Sequence, residues 1–286
     1  MKRKRKTGRI ALLVCCLSLL AVVGGALALR GDVRFRLIHG LARAVSHGRT
    51  PEQTDPVCRS LSLESLLALP EAALRYDLML IDPAHPLPKD FVPALEEYGD
   101  SGVRATKETL AAYAALAADA LAECGEKLLV TAAYRTEDEQ RATIGEAGEL
   151  AASVGASEHQ AGLALDLCVR GYGGYSFLKT AAGRYANANC ARYGLTVRYP
   201  ADKTAITGIA YEPWHFRYVG APHAEIMEEN ALSLEEYLVF FEIGAWYGYG
   251  DYLLSRQEGP VFSLPENVSS VLLSPDGTGN WFLTVR

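Results

Sequence analysis

The sequence contains no pair of cysteines separated by two residues, although six cysteines occur among its 286 residues. Structural zinc knuckles take their ligands from such closely spaced pairs, so this class of site is excluded. Cys15 and Cys16 lie inside an apolar segment near the N-terminus. Two of the others, Cys168 and Cys190, form either a disulfide or a pair of buried free thiols. The cysteines beyond the apolar segment are Cys58, Cys124, Cys168 and Cys190.

Beyond the first nine residues, acidic residues outnumber basic ones, and the sequence shows no internal repeat. The chain has 28 Lys and Arg residues against 34 Asp and Glu residues, and part of that positive charge is concentrated in residues 1–9. A phosphate-binding surface needs a basic patch on the folded domain, which the acidic remainder of this chain does not supply. Nucleic-acid binding is therefore excluded, and nothing in the sequence implies an obligate protein partner.

An uncharged stretch follows the basic cluster and occupies residues 10–29. A helix of about 20 apolar residues crosses a hydrocarbon core of about 30 Å, and the preceding Lys and Arg residues favour a cytoplasmic N-terminus. We therefore expect a single-pass membrane protein with a cytoplasmic tail at residues 1–9 and an extracellular functional domain. The alternative is a signal peptide cleaved near Ala26-Leu27-Ala28, which would give a secreted protein. We favour the anchor because the stretch is longer than the apolar part of a typical signal peptide.

The rest of the chain is long enough for one sizeable domain with appendages. Residues 30–70 include a polar, proline-bearing stretch and are predicted to form a stalk or linker. Residues 71–240 are predicted to form the functional domain. Residues 241–286 are predicted to form a β appendage of short strands around an Asp276-Gly277 turn. We expect an α+β fold in which helices pack on a small, mostly antiparallel sheet.

Periodicity and capping signals predict several elements of the functional domain. Residues 106–123 are rich in Ala and Leu at helical spacing and stop before Gly125, which predicts a helix. Thr136 and Glu139 have the spacing of a capping box, so a further helix is predicted to begin there. Residues 78–81 are apolar throughout and are predicted to form a strand.

Two other short stretches are predicted to be strands that present polar side chains to a cleft. In residues 163–168 the leucines occupy one face, so Asp166 projects from the opposite face. Trp214 and Phe216 alternate with His215 in the second stretch. If these aromatic side chains lie in the core, the imidazole of His215 turns towards the cleft.

Two histidines and one aspartate in these stretches form a nitrogen-rich set of three donors. His159 precedes Asp166, and Gly162 between them permits a tight turn that brings the two side chains together. An isolated histidine would more simply be a core or loop residue. With His215, however, the set matches the ligands that zinc prefers at a catalytic site with an open fourth position. Glu212 lies three residues before His215, where its carboxylate is suited to proton transfer, so the sequence predicts a zinc peptidase.

The residues and spacing of these stretches resemble those of the VanY-type D-alanyl-D-alanine carboxypeptidases, zinc enzymes that trim bacterial cell-wall peptides. The similarity extends over roughly residues 76–238. It is carried by the run Ser157-x-His159-x-x-Gly162-x-Ala164-x-Asp166 and, downstream, by Glu212-x-Trp214-His215-x-Arg217-Tyr218. The resemblance implies one zinc ion held by His159, Asp166 and His215, with Glu212 as the general base.

The same resemblance implies that Arg135 binds the terminal carboxylate of the substrate, with Ser157 and Gln140 as supporting contacts. A planar guanidinium binds a carboxylate through two hydrogen bonds, which explains a preference for the end of a peptide. The alternative for Arg135 is a salt bridge with a neighbouring acid such as Glu137. Arg198 is the rival candidate for binding the substrate carboxylate.

Together with the expected export of the domain, the resemblance implies an enzyme that removes the terminal D-Ala from peptidoglycan stem peptides, as in glycopeptide (vancomycin) resistance. Two alternatives stay open at this point. One is an LD-carboxypeptidase acting on the tetrapeptide stem, and the other is a non-catalytic cell-wall-binding module. The presence of Glu212 argues against the binding module, because a binder needs no general base.

Overall fold

The computed structural model describes three stretches of the chain, which are residues 30–45, 48–147 and 152–286. The predicted basic tail at residues 1–9 and the predicted transmembrane or signal segment at residues 10–29 lie outside these stretches. Within the three stretches, no helix has both the length and the apolar character needed to cross a membrane.

Eight α-helices and fourteen β-strands occur in the described part of the chain, together with three short 3-10 helices. The α-helices are α1 Gly31–Val45, α2 Leu63–Leu67, α3 Lys107–Cys124, α4 Glu137–Ala147, α5 Ala181–Asn189, α6 Thr204–Thr207, α7 His223–Glu229 and α8 Leu234–Phe240. The strands are β1 Glu52–Thr54, β2 Cys58–Ser62, β3 Ala72–Leu74, β4 Glu96–Glu97, β5 Arg104–Ala105, β6 Leu128–Ala132, β7 Ala164–Val169, β8 Leu195–Val197, β9 His215–Tyr218, β10 Trp246–Tyr249, β11 Tyr252–Gln257, β12 Val261–Pro265, β13 Val271–Pro275 and β14 Trp281–Val285. The 3-10 helices are Glu158–Ala161, Gly174–Lys179 and Cys190–Tyr193.

A four-stranded antiparallel sheet with the strand order β6-β7-β9-β8 carries the predicted ligand residues. Leu165 and Leu167 of β7 and Phe216 of β9 are fully buried in one apolar cluster, which also contains Leu116 of α3. Burying one such side chain contributes about 1.5–3 kcal/mol, so this face of the sheet is strongly fixed. The opposite face is therefore left for the polar side chains of the same strands, and the mixed α+β class expected from the sequence is confirmed.

The helix-capping predictions in this domain are also confirmed. Thr106 caps the N-terminus of α3 by accepting the backbone N–H of Thr109 (3.3 Å), and Gly125 ends the helix in the left-handed conformation with φ of +68°. Ahead of α4, the backbone N–H of Thr136 donates to the carboxylate of Glu139 (2.7 Å), and the backbone N–H of Glu139 donates to the hydroxyl of Thr136 (3.3 Å). These reciprocal bonds form a capping box.

Residues 78–81, which we predicted to form a strand, belong to none of the described sheets. They are buried, and two of their backbone N–H groups donate to residues of the C-terminal region without forming a strand ladder. The N–H of Leu78 donates to the hydroxyl of Ser274 (3.2 Å), and the N–H of Leu80 donates to the carbonyl of Asp276 (3.0 Å). The prediction was wrong because the apolar composition of the segment reflects burial and not membership of a sheet.

The C-terminal region contributes most of a six-stranded sheet with the order β1-β10-β11-β14-β13-β3. Strands β13 and β14 flank the predicted Asp276-Gly277 turn and pair in antiparallel fashion. The segment predicted to be a stalk contributes one strand to this sheet, since β1 pairs with β10. A second strand of that segment, β2, pairs with β12 in a separate two-stranded sheet. The proposed domain boundaries near residues 70 and 240 stay a prediction.

All four cysteines of the described stretches are free thiols. Cys168 and Cys190 are both buried, and burial raises the pKa of Cys190 to about 12. The sequence left open a disulfide or two free thiols for this pair, and the structure contains free thiols.

His223 connects α7 to the elements that follow it in the chain. One imidazole nitrogen, Nδ1, lies 2.6 Å from the hydroxyl of Tyr237 on α8, and Nε2 lies 2.9 Å from the hydroxyl of Thr284 on β14. Burial lowers the pKa of His223 to about 3, so the ring is neutral in the folded protein at neutral pH. A neutral imidazole matches this site because it can donate at one nitrogen and accept at the other.

We expect the free energy of unfolding to fall on acidification because of His223. The unfolded chain takes up the proton below a pKa of about 6.5, whereas the folded protein resists protonation down to about 3. Between pH 7 and pH 5 this difference costs about 2 kcal/mol of stability, at about 1.4 kcal/mol per pH unit below 6.5. Urea unfolding of the chelator-treated protein and of His223→Gln at both pH values measures it. An identical loss in the two proteins would contradict the assignment.

Candidate metal centre

The side chains of His159, Asp166 and His215 converge in the structure, each offering a ligand atom within 4.8 Å of the other two. His159 Nε2 lies 3.5 Å from Asp166 Oδ1, and His215 Nδ1 lies 3.2 Å from the same oxygen. The two imidazole rings meet edge to face, with centroids 5.0 Å apart and planes at 82°. The three residues predicted from the sequence as metal ligands are thus brought together.

Strand register and one tight turn produce this convergence. Asp166 of β7 and His215 of β9 are direct partners in the antiparallel register, which places their side chains side by side on one face. His159 arrives from the 3-10 helix Glu158–Ala161, which ends at Gly162 with φ of +67°. This left-handed backbone conformation is one that glycine adopts readily and other residues rarely adopt.

The hydrogen bonds of His159 direct one of its nitrogens into the site. Its Nδ1 lies 2.8 Å from the carbonyl oxygen of Ala133 and therefore donates to it. Its Nε2 is buried and has no hydrogen-bond partner among the described residues, and the same holds for Asp166 Oδ1. A buried polar atom left without a partner costs free energy. A cation between these atoms would satisfy both, and the donor set fits zinc.

The electrostatics of the three residues also fit a cation. Burial by itself raises the pKa of the Asp166 carboxyl, but the two imidazoles outweigh it and hold the pKa well below its ordinary value. Burial lowers the pKa of His159. Burial also acts against the charged form of His215, yet the neighbouring carboxylates of Asp166 and Glu158 raise its pKa to about 9. The negative charge responsible for that rise is the charge that a divalent cation would neutralise.

Glu212 lies at the edge of this cluster, with Oε2 3.7 Å from His215 Nδ1. Its position is fixed by the turn that precedes β9, in which the backbone N–H of His215 donates to the carbonyl of Glu212 (3.1 Å). Burial raises the pKa of Glu212, with Asp166 adding to the rise and His215 opposing it. A carboxylate with a raised pKa is a better proton acceptor and donor near neutral pH than an exposed one.

A cavity of about 230 Å³ opens in front of the three donors and Glu212. All of the site residues predicted from the sequence line this cavity. The lining consists of Arg135, Gln140, Thr143, Ala152, Ser157, Glu158, His159, Asp166, Tyr199, Ile209, Glu212, Trp214 and His215.

Arg135 and Gln140 contribute polar atoms to this cavity that lack partners. Arg135 Nε and Gln140 Oε1 are buried, and neither has a hydrogen-bond partner in the described part of the chain. Arg135 Nη1 makes a long contact of 3.4 Å with the hydroxyl of Thr143, and Gln140 Nε2 donates to the carbonyl of Ala152 (2.7 Å). Ser157, which is also buried, lines the cavity directly before the 3-10 helix.

The structure distinguishes between the roles considered for Arg135 and Arg198. Glu137, the candidate salt-bridge partner of Arg135, pairs with Arg141 instead (3.0 Å). Arg198, the rival carboxylate binder, is fully buried and directs its guanidinium to two acidic side chains, Glu158 and Glu235. Arg198 therefore does not line the cavity, and Arg135 is the arginine that does.

Two residues of the site were not identified from the sequence. Glu158 is fully buried and lies 3.3 Å from His215 Nε2 through its Oε2 atom. The ring of Tyr199 packs at 4.9 Å from the His215 ring. Glu158 stands directly before a predicted ligand, but its partners Arg198 and Arg217 lie 40 and 59 residues away in the chain, so no local pattern identified its role.

Comparison with known proteins gives consistent matches. A family model described as VanY, D-alanyl-D-alanine carboxypeptidase, matches residues 103–221. A D-alanyl-D-alanine carboxypeptidase of Enterococcus faecium is 34% identical over 189 residues, which are 60% of this chain and 60% of that enzyme. The bifunctional D-Ala-D-Ala dipeptidase and carboxypeptidase VanXYC of Enterococcus gallinarum is 36% identical over 177 residues, covering 56% of this chain and 92% of that enzyme.

A solved structure supports the same relationship. The VanY D,D-pentapeptidase from a VanB-type resistance cassette, solved as a mutant in complex with Zn(II), superposes with a TM-score of 0.52 at 33% identity. The match covers 57% of this chain and 99% of that one. The match spans only 60% of the length of the Enterococcus faecium enzyme and 48% of the length of a second relative, the putative carboxypeptidase YodJ of Bacillus subtilis. This chain belongs to the VanY family of D-alanyl-D-alanine carboxypeptidases.

Proposed function

We propose that this protein is a zinc-dependent D-alanyl-D-alanine carboxypeptidase that removes the terminal D-Ala from peptidoglycan stem peptides. One observation carries the proposal. His159, Asp166 and Arg135 line the same cavity, and each has a buried side-chain atom without a hydrogen-bond partner among the described residues. A metal-binding donor set beside a buried guanidinium suits a substrate whose scissile bond lies one residue from a free carboxylate.

When bound by His159, Asp166 and His215, a zinc ion supplies a Lewis acid for water activation and for stabilising charge on the carbonyl oxygen. Glu212 takes a proton from the attacking water at its carboxylate and delivers it to the leaving amine of D-Ala. The raised pKa of Glu212 supports both halves of this transfer.

Arg135 binds the terminal carboxylate of the stem peptide in this proposal. Its backbone N–H donates to the carbonyl of His159 (3.2 Å), so the guanidinium and a metal ligand are held by one hydrogen-bonded unit. Burial lowers the pKa of Arg135 relative to its ordinary value, yet a guanidinium stays charged at neutral pH. Gln140 Oε1 and the hydroxyl of Ser157 are available to support the substrate backbone from the same cavity.

We further propose that the enzyme acts at the outer face of the cell membrane. The uncharged residues 10–29 of the sequence support an anchor or an export signal. An extracellular domain would meet the stem peptides where they are assembled into the wall.

The central test is D-Ala release from defined stem peptides. We expect the zinc-loaded protein to release one equivalent of D-Ala from a pentapeptide stem ending in D-Ala-D-Ala and to leave the tetrapeptide product intact. Removal of the metal with a chelator should abolish release, and added zinc should restore it. Release from the tetrapeptide alone would point to an LD-carboxypeptidase. Binding of both stems without any release would point to a non-catalytic module.

Replacing Glu212 separates proton transfer from metal binding. We expect Glu212→Gln to keep its zinc and to lose about 10²- to 10⁴-fold in kcat, because the amide cannot accept the proton of the attacking water. Zinc content is measured by metal analysis and kcat by D-Ala release. Glu266→Gln, at an exposed position away from the cavity, is the matched control and should retain full activity. Undiminished turnover in Glu212→Gln would overturn the assigned role.

Replacing Arg135 tests recognition of the substrate carboxylate. We expect Arg135→Ala to lower kcat/KM for the pentapeptide by roughly 10²-fold, the scale for removing one partner of a buried, hydrogen-bonded charge pair. A C-terminally amidated pentapeptide should be a poor substrate for the parent and should be little affected by the substitution. Arg141→Ala, which removes an exposed arginine from the helix that follows Arg135, is the control. Equal cleavage of both peptides by the parent protein would refute the carboxylate contact.

A further inference from the structure

A buried cluster of charges lies directly behind the predicted metal ligands. Its centre is Glu158, whose carboxylate is inaccessible to solvent. Glu158 Oε1 accepts a hydrogen bond from Arg198 Nε (2.7 Å) and another from Arg217 Nη1 (2.7 Å). These two guanidinium groups keep the buried carboxylate in its ionised form. Glu158 is therefore a carboxylate that only accepts hydrogen bonds.

The second oxygen of Glu158 is directed at a metal ligand. Oε2 lies 3.3 Å from His215 Nε2, on the side of the imidazole that faces away from Asp166. A histidine that ligates a metal is neutral, and because the Glu158 carboxylate can only accept a hydrogen bond, the one proton of the ring must then be on Nε2. The lone pair of His215 is then on Nδ1, the atom that faces Asp166 at 3.2 Å.

His159 is held in the opposite way. Its Nδ1 donates to the backbone carbonyl of Ala133, so its lone pair is on Nε2. The two histidines of the site are thus fixed as different tautomers. The tautomer of His159 is fixed by a backbone carbonyl, which does not depend on the identity of a side chain. The tautomer of His215 is fixed by the side chain of Glu158.

Both arginines are themselves held, so the carboxylate has little freedom to turn. Arg198 makes a two-pronged contact with Glu235 of α8, with distances of 3.1 and 2.7 Å. Arg217 Nη2 donates to the backbone carbonyls of Asp77 (3.0 Å) and Met79 (2.9 Å). The cluster therefore connects the site to α8 and to the segment around residues 77–79.

We propose that Glu158 is a positioning residue that holds His215 with its proton on Nε2 and so presents Nδ1 to the metal. The inference rests on the proposed function only in placing a metal ion at this site, and not on the peptidase reaction. Partners that hydrogen-bond to metal-ligating histidines fix the tautomer and the ring orientation, and their loss commonly weakens metal affinity about 10- to 100-fold.

The competing explanation is that Glu158 merely neutralises two buried arginines. Glu235 distinguishes the explanations because it also pairs with Arg198 but does not line the cavity or contact His215. Glu235→Ala thus disturbs the same charge cluster while leaving the hydrogen bond to His215 in place.

Zinc affinity, measured by competition with a chromophoric chelator, is the first test. We expect Glu158→Ala to bind zinc about 10- to 100-fold more weakly than the parent, and Glu235→Ala to bind it as the parent does. Equal affinity of Glu158→Ala and the parent, or an equal loss in both variants, would overturn the inference. Failure of the parent itself to bind zinc would overturn the proposed function together with it, so the two failures are distinguishable.

The second test needs no variant and so does not depend on the folding of Glu158→Ala. Long-range ¹H–¹⁵N correlation spectra of the zinc-loaded, ¹⁵N-histidine-labelled parent report which imidazole nitrogen carries the proton. We expect His215 to be protonated at Nε2 and His159 at Nδ1. A proton on Nδ1 of His215, with Nε2 bound to zinc, would overturn the inference whatever the affinity measurements give.

Discussion

The site depends on one cross-strand pair, Asp166 of β7 beside His215 of β9. Because side chains alternate along a strand, a slip of one residue in either strand would move one of these groups into the apolar core. The burial of Leu165, Leu167 and Phe216 fixes that register, so the core residues determine where the ligands point. His159 then needs only the turn that ends at Gly162 to complete the set.

Buried polar atoms behind the cavity have partners, whereas several of those in its lining have none among the described residues. Glu158, Arg198 and Arg217 are fully buried, and each has charged or carbonyl partners at close distance. In contrast, four of the seven buried side-chain atoms that lack a hydrogen-bond partner in the described ranges line this one cavity. They belong to Arg135, Gln140, His159 and Asp166. Unsatisfied polar atoms are costly, and their concentration in one place is expected of a site built for a metal and a polar ligand.

The sequence was sufficient for the parts of the fold that local chemistry determines. The alternation along residues 163–168 and the helix caps at Thr106 and Thr136 depend only on residues close together in the sequence. The three metal-binding donors were predicted from their spacing and from the family resemblance. The strand predicted at residues 78–81 was wrong because its backbone partners lie almost 200 residues away in the chain. Glu158 was missed for the same reason, since its role depends on Arg198 and Arg217, which no local pattern connects to it.

The central claim is that His159, Asp166 and His215 hold one zinc ion. The most direct measurement is an anomalous difference map from crystals of the zinc-loaded protein, recorded on both sides of the zinc absorption edge. The account predicts a single strong peak about 2.0–2.2 Å from His159 Nε2, Asp166 Oδ1 and His215 Nδ1. A map with no peak among these three atoms, or with the zinc held by other residues, would contradict it.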